Sequence, residues 1–288
     1  VFGVLSSIFI VLTGDGSAVQ VAQKQPMKLA AMEGLYQGEK GADLIAVSVL
    51  DPGKELNDGT DGHVFKITIP KALSFLGFKD FDAYVPGIED LVNGYEVETQ
   101  DGVLKEPSAE EKIAMGKKAI TAYKGYKEAK EAGDEEVAAA QLTIMEDNFE
   151  YFGYGYLNDP ESIVPNVPFT FYSFHVMVVL GFYFILFFIL VFFFNQKDQL
   201  DTKKWLLKLA ILTIPLVYIS SMAGWITAEM GRQPWVIQDL MPTVAAVSRI
   251  DASSVQITFF LFAAIFTLLL IAELRIMFSQ IKKGPGGK

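Results

Sequence analysis

A lysine and a glutamate flank a short apolar stretch early in the chain, where residues 25–33 read QPMKLAAME. If this stretch is helical, Lys28 and Glu33 lie about 140° apart around the helix axis. A cation and a carboxylate on either side of an apolar strip suit a lipid-soluble molecule with two polar ends, such as a quinol. The spacing is also typical of an interfacial helix with ordinary surface charges, and spacing alone favours that simpler interpretation.

A histidine and a methionine, His175 and Met177, lie in a long apolar segment. Residues two apart point to different sides of a helix, so these side chains do not readily serve one site. A methionine can ligate haem iron, and Met177 shares a face with Gly181, whose missing side chain leaves room for a flat macrocycle. The plainer interpretation is that Met177 fills core space and that His175 is a hydrogen-bonded histidine near a helix end.

A third group, Trp225, Glu229 and Arg232, falls at the end of another apolar segment. Trp225 and Glu229 are four residues apart and share a helix face, and Arg232 follows Glu229 by three. A carboxylate at membrane depth must be paired, protonated or bound to a metal. Glu229 is therefore a candidate iron ligand and Arg232 a candidate partner for a propionate. A structural Glu–Arg pair with aromatic interface anchors is the simpler alternative.

Composition excludes several other chemistries. The 288 residues contain no cysteine and two histidines, which excludes disulfides, thiolate metal sites, iron–sulfur clusters and a multi-histidine metal centre made by this chain alone. A formal net charge of −10 argues against nucleic acid as a partner, because phosphate binding needs a basic surface. The acidity is concentrated between residues 14 and 165, with 28 acidic against 14 basic side chains.

The apolar segments that must position these groups are long enough to cross a bilayer. A hydrocarbon core of about 30 Å needs about 20 helical residues, and three segments meet this requirement: 166–196, 204–228 and 252–279. Residues 1–14 are also apolar but give only roughly 21 Å of helix, which predicts the last part of a transmembrane helix whose beginning is missing.

The basic residues of the short loops predict the orientation. Four lysines lie between the second and third spans and three follow the last, so both clusters fall on the cytoplasmic side by the positive-inside rule. The acidic segment 15–165 and the loop 229–251 are then expected outside, in the periplasm, and residues 280–288 form a cytoplasmic tail. The predicted fold class is an all-α integral membrane protein, a helical bundle with a large, mostly helical extracytoplasmic loop.

The large loop carries recognisable local signals. Ser108 and Glu111 have the spacing of a capping box, which predicts a helix start, and Gly133 is a plausible end for that helix. Val137, Ala140 and Ile144 mark a second amphipathic helix. Residues 64–70 alternate as in a short strand that ends at a proline.

Three segments together resemble one family. Residues 229–237, EMGRQPWVI, resemble the signature stretch of subunit I of the cytochrome bd quinol oxidases. Residues 28–33, KLAAME, are similar to the opening of that family's quinol loop, and residues 174–178, FHVMV, lie where the family has its methionine-bearing helix. The resemblance covers essentially the whole chain, but only the C-terminal half or slightly more of a usual subunit I.

The resemblance implies oxidation of a membrane quinol and reduction of O₂ to water, with protons from the quinol released on the outer side. Lys28 and Glu33 match quinol-loop positions implicated in quinol binding and oxidation. The residues between Glu33 and the second span look like the longer form of the quinol loop.

The resemblance also implies haem cofactors: a low-spin haem b, a high-spin haem b, and either haem d or a third haem b. Met177 matches the methionine ligand of the low-spin haem b. Glu229 matches the carboxylate ligand of a high-spin haem, with Trp225 and Arg232 in its surroundings. His175 stands where the family usually has arginine. The family's N-terminal helices, which supply the histidine ligands, are absent from this sequence.

The leading hypothesis is therefore a partial subunit I of a bd-type quinol oxidase in the bacterial inner membrane. The expected partners are quinol, O₂, subunit II of the oxidase, a small accessory subunit and lipid, without nucleic acid. The alternative is a non-catalytic membrane scaffold or assembly protein of bd descent.

Overall fold

The computed structural model describes residues 1–99 and 102–284. The chain folds as two compact units, Val1–Ala246 and Val247–Lys288. Within the described residues, four helices are long and apolar enough to cross a membrane: α1 (Phe2–Lys24), α7 (Val167–Gln196), α8 (Lys204–Met230) and α9 (Ala252–Lys283). This confirms the predicted class, a mostly helical membrane protein.

Helix α1 is longer than the expected segment 1–14. It continues to Lys24, which gives about 35 Å of helix, so the expected end of the helix at residue 14 was wrong. The polar residues did not end it, because Thr13 and Ser17 donate their hydroxyl hydrogens to carbonyls one turn back, at 3.0 and 3.1 Å. The helix ends at Gln25 because the next residue, Pro26, disfavours a helical conformation at Gln25.

Helices α7 and α8 pack as an antiparallel pair joined by a short connection that includes the 3₁₀ turn Leu200–Thr202. Two hydroxyl pairs link them: the Ser173 and Thr227 hydroxyls lie 2.8 Å apart, and the Tyr183 and Thr213 hydroxyls 2.6 Å apart. Such hydrogen bonds between spans fix how two helices align in an apolar environment.

The second unit contains α9, whose side chains are all exposed. The helix continues four residues beyond the expected end at residue 279. The predicted tail 280–288 therefore begins inside the helix, and its residues 285–288 lie outside the described residues.

The segment between α1 and α7 contains five α-helices and three antiparallel pairs of strands among its described residues. The helices are α2 (Pro26–Glu33), α3 (Ala72–Phe78), α4 (Ile88–Asn93), α5 (Ala109–Ala132) and α6 (Glu135–Asp147). The strands, in chain order, are β1 (Glu39–Lys40), β2 (Leu44–Leu50), β3 (His63–Ile69), β4 (Tyr84–Val85), β5 (Tyr95–Thr99) and β6 (Gly102–Glu106). Strand β1 pairs with β4, β2 with β3 and β5 with β6. The strand expected at 64–70 is β3, whereas the other strands were not expected.

The predicted capping signals are present. The Ser108 hydroxyl accepts the Glu111 N–H, the Glu111 carboxylate accepts the Ser108 N–H, and α5 ends at Gly133 in the left-handed conformation. Helix α6 then pairs with α5, and the 3₁₀ segments Phe149–Tyr156 and Pro160–Ile163 lead into α7.

The loop after α8 folds back onto the large loop. It contains the short strands β7 (Trp235–Ile237) and β8 (Met241–Pro242). The Trp235 ring is buried, with its centroid 4.8 Å from that of Tyr154. The Tyr154 hydroxyl lies 2.7 Å from the Asp239 carboxylate and donates to it. The segment between α1 and α7 therefore packs against the segment that follows α8.

One core cluster determines where α2 lies. Ala31 of α2, Ile45 of β2, Ile88 of α4 and Phe171 of α7 are buried together. Because α2 packs between the large loop and the start of α7, its two charged residues, Lys28 and Glu33, face different surroundings.

Candidate functional site

Lys28 lies on α2 against the C-terminal end of α8. Its Nζ donates a hydrogen bond to the carbonyl oxygen of Ala228 at 3.4 Å, across 200 sequence positions. Burial lowers the pKa of Lys28, the positive charge of Arg232 lowers it further, and the negative charge of Glu229 opposes the shift. The structure thus brings Lys28 of the first residue group next to Glu229 and Arg232 of the third.

Glu229 and Arg232 form the ion pair that their spacing allowed. The Arg232 Nη2 lies 2.6 Å from the Glu229 Oε2, and the two side chains are 37% and 42% exposed. Within the described residues, the buried Nε of Arg232 has no hydrogen-bond partner. Trp225, one turn earlier on α8, is 61% exposed. Two cations and one carboxylate therefore converge here, with one buried N–H that still lacks an acceptor.

Gly231 allows this convergence. A Cβ at this position would lie 2.7 Å from the Thr227 carbonyl oxygen and 3.0 Å from carbon atoms of Lys28 and Thr170. A side chain here would force α2 and α7 away from the end of α8. The glycine of the sequence GRQPW is thus required by packing.

Glu33 lies in a different environment from Lys28. Its side chain is buried at 2% exposure, and its Oε2 accepts the Ile45 N–H at 3.3 Å. Burial raises the pKa of Glu33 to about 8, and the hydrogen bond from Ile45 only partly opposes this. Lys28 and Glu33 therefore do not face each other, in agreement with the 140° expected between them.

The chain's two histidines contact the carbonyls of Gly34, which follows Glu33, and of Ile45, whose N–H binds Glu33. This arrangement was not predicted from the sequence. The His63 Nε2 lies 3.0 Å from the Gly34 carbonyl oxygen, and the His175 Nε2 lies 3.2 Å from the Ile45 carbonyl oxygen. The second nitrogen of His175 lies 2.9 Å from the Phe171 carbonyl oxygen, one turn back on α7. His175 is thus hydrogen-bonded to backbone and lies on a different side of α7 from Met177, as expected.

A phenylalanine separates the two imidazoles. The Phe171 ring centroid lies 4.0 Å from that of His175 and 5.9 Å from that of His63. Gly34 makes this approach possible, because it ends α2 with φ +61° and a Cβ there would meet the His63 ring at 2.9 Å. The presence of only two histidines in the chain was the one sequence signal that could have drawn attention to them. Their packing on either side of Phe171 depends on β3 and α7, which are distant in sequence.

Met177 lies between α7 and α8. Its sulfur is 3.0 Å from the position that a Cβ on Gly224 would occupy. Gly181, expected to leave space beside Met177, is open: no heavy atom of the described residues lies within 4 Å of a Cβ built there. The small residue that accommodates the Met177 side chain is therefore Gly224 on the neighbouring helix.

Four candidate spans, with a thioether between two of them and a charged cluster at the end of α8, define a polytopic helical membrane protein. The chain belongs to the cytochrome bd terminal oxidase subunit I family, whose model matches residues 1–285. This membership and the candidate spans place it in a bacterial inner membrane.

Relatives support this assignment. The chain is 31% identical to subunit 1 of the cytochrome bd-II ubiquinol oxidase of Escherichia coli (strain K12), over 99% of this chain and 54% of that protein. It is 25% identical to subunit 1 of the cytochrome bd ubiquinol oxidase of Bacillus subtilis (strain 168), over 99% and 47%. The chain therefore spans about half the length of the curated relatives it matches.

A solved structure shows the same fold. The structure of the bd oxidase from Geobacillus thermodenitrificans matches with a TM-score of 0.61 and 23% identity, over 98% of this chain and 48% of that chain.

The family implies haem cofactors, and the donors present fit such a group. A propionate is an anion, and the buried Nε of Arg232 lacks an acceptor within the described residues while Lys28 adds a second positive charge beside it. The Glu229 carboxylate and the Met177 thioether are both chemically competent iron ligands. Exposure of the Glu229 and Arg232 side chains leaves them accessible at the end of α8.

Proposed function

We propose that, within a complete subunit I, this chain oxidises a membrane quinol and contributes to the reduction of O₂ to water in aerobic respiration. Family membership supports the proposal, as do relatives described as ubiquinol oxidases. The observation that carries it is the contact between Lys28 and the end of α8. This contact brings the quinol-loop motif next to the candidate haem ligand, which allows electrons to pass over a short distance.

Lys28 and Glu33 have complementary roles in this proposal. The Lys28 ammonium donates a hydrogen bond to one polar end of the quinol. Glu33 exchanges the proton of a quinol hydroxyl, for which a pKa of about 8 is suitable because proton exchange is then possible near neutral pH.

We assign the haem-facing roles by family resemblance and donor chemistry. Met177 would hold the iron of a low-spin haem b, and Glu229 would hold the iron of a high-spin haem. Arg232, with Trp225 nearby, neutralises and orients the charged edge of that group. Bound haems would supply the one-electron chemistry and the O₂ site. Besides the low-spin and the high-spin haem b, the third haem would be either haem d or another haem b. The remaining ligands belong to the part of the subunit that lies outside the matched half.

The proposed orientation places the large loop and the 229–251 loop on the periplasmic side. The lysines between α7 and α8 (Lys197, Lys203, Lys204 and Lys208) mark the cytoplasmic side by the positive-inside rule. Protons from the quinol then leave on the outer side. We propose subunit II and a small accessory subunit as further partners.

The test uses the complete oxidase in native membranes. Glu33→Gln and Lys28→Met should each lower quinol-dependent O₂ consumption at least tenfold, while dithionite-reduced haem spectra stay unchanged. Lys24→Met is the matched control, because Lys24 is an exposed lysine of the last turn of α1. Normal turnover in both site variants would refute the assignment of this site.

A further inference from the structure

The turn that follows α8 joins Arg232 to the large loop. The Trp235 N–H donates a hydrogen bond to the Arg232 carbonyl oxygen at 2.9 Å, which closes a turn over residues 232–235. The Trp235 side chain is 4% exposed and lies in a core cluster with residues of α4, α5 and the two 3₁₀ segments. The backbone of Arg232 is therefore tied to a side chain that the large loop holds.

Two hydrogen bonds hold Asp239, four residues after Trp235, against the same part of the large loop. Its carboxylate accepts the Tyr154 hydroxyl hydrogen at 2.7 Å, and its carbonyl oxygen accepts the Gly153 N–H at 3.0 Å. The Gln238 side chain donates to the same carboxylate oxygen at 3.0 Å. A Cβ on Gly153 would lie 2.3 Å from the Asp239 carbonyl oxygen, so this close approach of two backbones requires a glycine.

The Tyr154 side chain makes two of these contacts at once. Its ring meets the Trp235 ring edge-on, and its hydroxyl binds Asp239. Burial and the negative charge of Asp239 raise the pKa of Tyr154, so the hydroxyl keeps its hydrogen and remains the donor at neutral pH. The Lys112 Nζ lies 5.6 Å from the centroid of the Tyr154 ring and 2.5 Å from the Glu106 carboxylate, which ties the ring to the start of α5.

Asp239 has a backbone conformation that residues other than glycine seldom adopt, with φ +59°. Such a conformation persists where the surrounding contacts hold it in place. Here those contacts come from Gly153 and Tyr154, which both belong to the 3₁₀ segment Phe149–Tyr156. The loop after α8 therefore depends on the large loop for its conformation.

We infer that Tyr154 and Asp239 are positioning residues for Arg232. They act through Trp235, whose N–H binds the Arg232 carbonyl oxygen. This inference rests on the proposed function, in which Arg232 faces the charged edge of a haem. The direction of Arg232 matters there because its buried Nε lacks an acceptor within the described residues. Without the Tyr154 hydroxyl, the turn would loosen and the guanidinium would occupy a wider range of positions.

The haem assigned to Glu229 should respond to this loosening through its potential. Reduction removes one positive charge from the iron, so a cation held close to the haem favours the reduced form. A guanidinium that is spread over more positions lies farther away on average. Loss of the Tyr154 hydroxyl should therefore lower the midpoint potential of that haem.

The experiment is a spectroelectrochemical titration of the complete oxidase. Tyr154→Phe removes one hydroxyl and keeps the ring that contacts Trp235. The reduction equilibrium of the haem assigned to Glu229 should shift about threefold toward the oxidised form, which is about 28 mV at about 59 mV per tenfold, with haem content unchanged. Amide hydrogen exchange over residues 232–239 should become faster in the same variant. Tyr156→Phe is the matched control, because Tyr156 is 42% exposed in the same 3₁₀ segment.

The double variant Tyr154→Phe/Arg232→Gln separates a positioning role from a merely structural one. If Tyr154 acts through Arg232, Tyr154→Phe should cause no further shift once Arg232 is replaced, whereas independent effects add. The inference is overturned by an unchanged potential or unchanged exchange in Tyr154→Phe, or by an equal shift with and without Arg232. If Tyr154→Phe does not assemble, Trp235→Phe decides by the same cycle, because it shortens the ring that Tyr154 contacts.

Arg232→Gln alone tests the proposed function separately. A shifted potential in Arg232→Gln with a normal potential in Tyr154→Phe removes only the positioning role. A normal potential in Arg232→Gln removes the proposed contact between Arg232 and a haem.

Discussion

Glu33 is expected to be protonated at neutral pH, and this can be tested directly. With a pKa of about 8, about nine in ten Glu33 carboxyls carry a proton at pH 7 and about one in ten at pH 9. Infrared spectra of the purified complete subunit should show a protonated carboxyl C=O band that titrates with a midpoint near 8. Glu33→Gln should remove this band, because the amide keeps an acceptor for the Ile45 N–H but does not ionise.

The same burial links stability to pH. The folded state keeps the Glu33 proton over a range in which the unfolded chain has lost it, so folding becomes less favourable as pH rises from about 4.5 to about 8. At about 1.36 kcal/mol per pKa unit, the whole change amounts to roughly 5 kcal/mol. Thermal midpoints of Glu33→Gln should accordingly rise relative to the wild type as pH increases through this range.

Glu111→Gln provides the control for the infrared experiment. Hydrogen bonds from the Ser108 backbone and hydroxyl lower the pKa of Glu111, an exposed carboxylate. Its replacement should therefore remove no protonated band between pH 6 and 9. A carboxyl band of Glu33 with a midpoint near 4.5, or no difference band at all, would show that burial does not govern this residue.

Three further perturbations address the neighbouring parts of the structure. Met177→Leu should change the reduced-minus-oxidised spectrum of the low-spin haem in the complete subunit, because leucine supplies no ligating sulfur. Gly231→Ala should lower the thermal midpoint by an amount equivalent to about 1–3 kcal/mol, and raise KM for quinol, because its Cβ would press on Lys28. Asp239→Ala should speed proteolysis of the loop after α8, since the buried Tyr154 hydroxyl loses its acceptor at a cost of about 1–3 kcal/mol.

Each of these variants has a matched comparison. Met177 can be compared with Met222, which is 55% exposed on α8, and Gly231 with Gly181, where an added Cβ meets open space. Asp239→Asn keeps an acceptor for Tyr154 and should behave like the wild type. An unaltered spectrum in Met177→Leu, or equal effects of alanine at Gly231 and Gly181, would contradict the assignments.

Features set by neighbours in sequence were predictable. The capping box at Ser108, the left-handed end of α5 at Gly133 and the alternation of β3 follow from local backbone chemistry. The spans were predictable because apolar length decides them. The end of α1 was missed because Thr13 and Ser17 satisfy their hydroxyls within the helix, so polar residues did not terminate it.

The geometry of the site was not predictable, because it depends on contacts between distant segments. Nothing near Lys28 in sequence indicates that it lies against the end of α8. Glu33 was recognisable as a candidate from its motif, but its burial requires β2 and α7 to close over it. The placement of His63 over Gly34 likewise depends on the pairing of β2 with β3.

The two hydroxyl pairs between α7 and α8 also fix the position of one helix along the axis of the other. A slide of one helix along the other by a single turn, about 5.4 Å, would break both pairs at once. Met177 lies between the pairs, and Glu229 lies just beyond the pair formed by Ser173 and Thr227. The distance along the helix axes between the Met177 sulfur on α7 and the Glu229 carboxylate on α8 is therefore set by the helices themselves. Substitutions that weaken either hydroxyl pair should make this distance more variable without changing a candidate ligand.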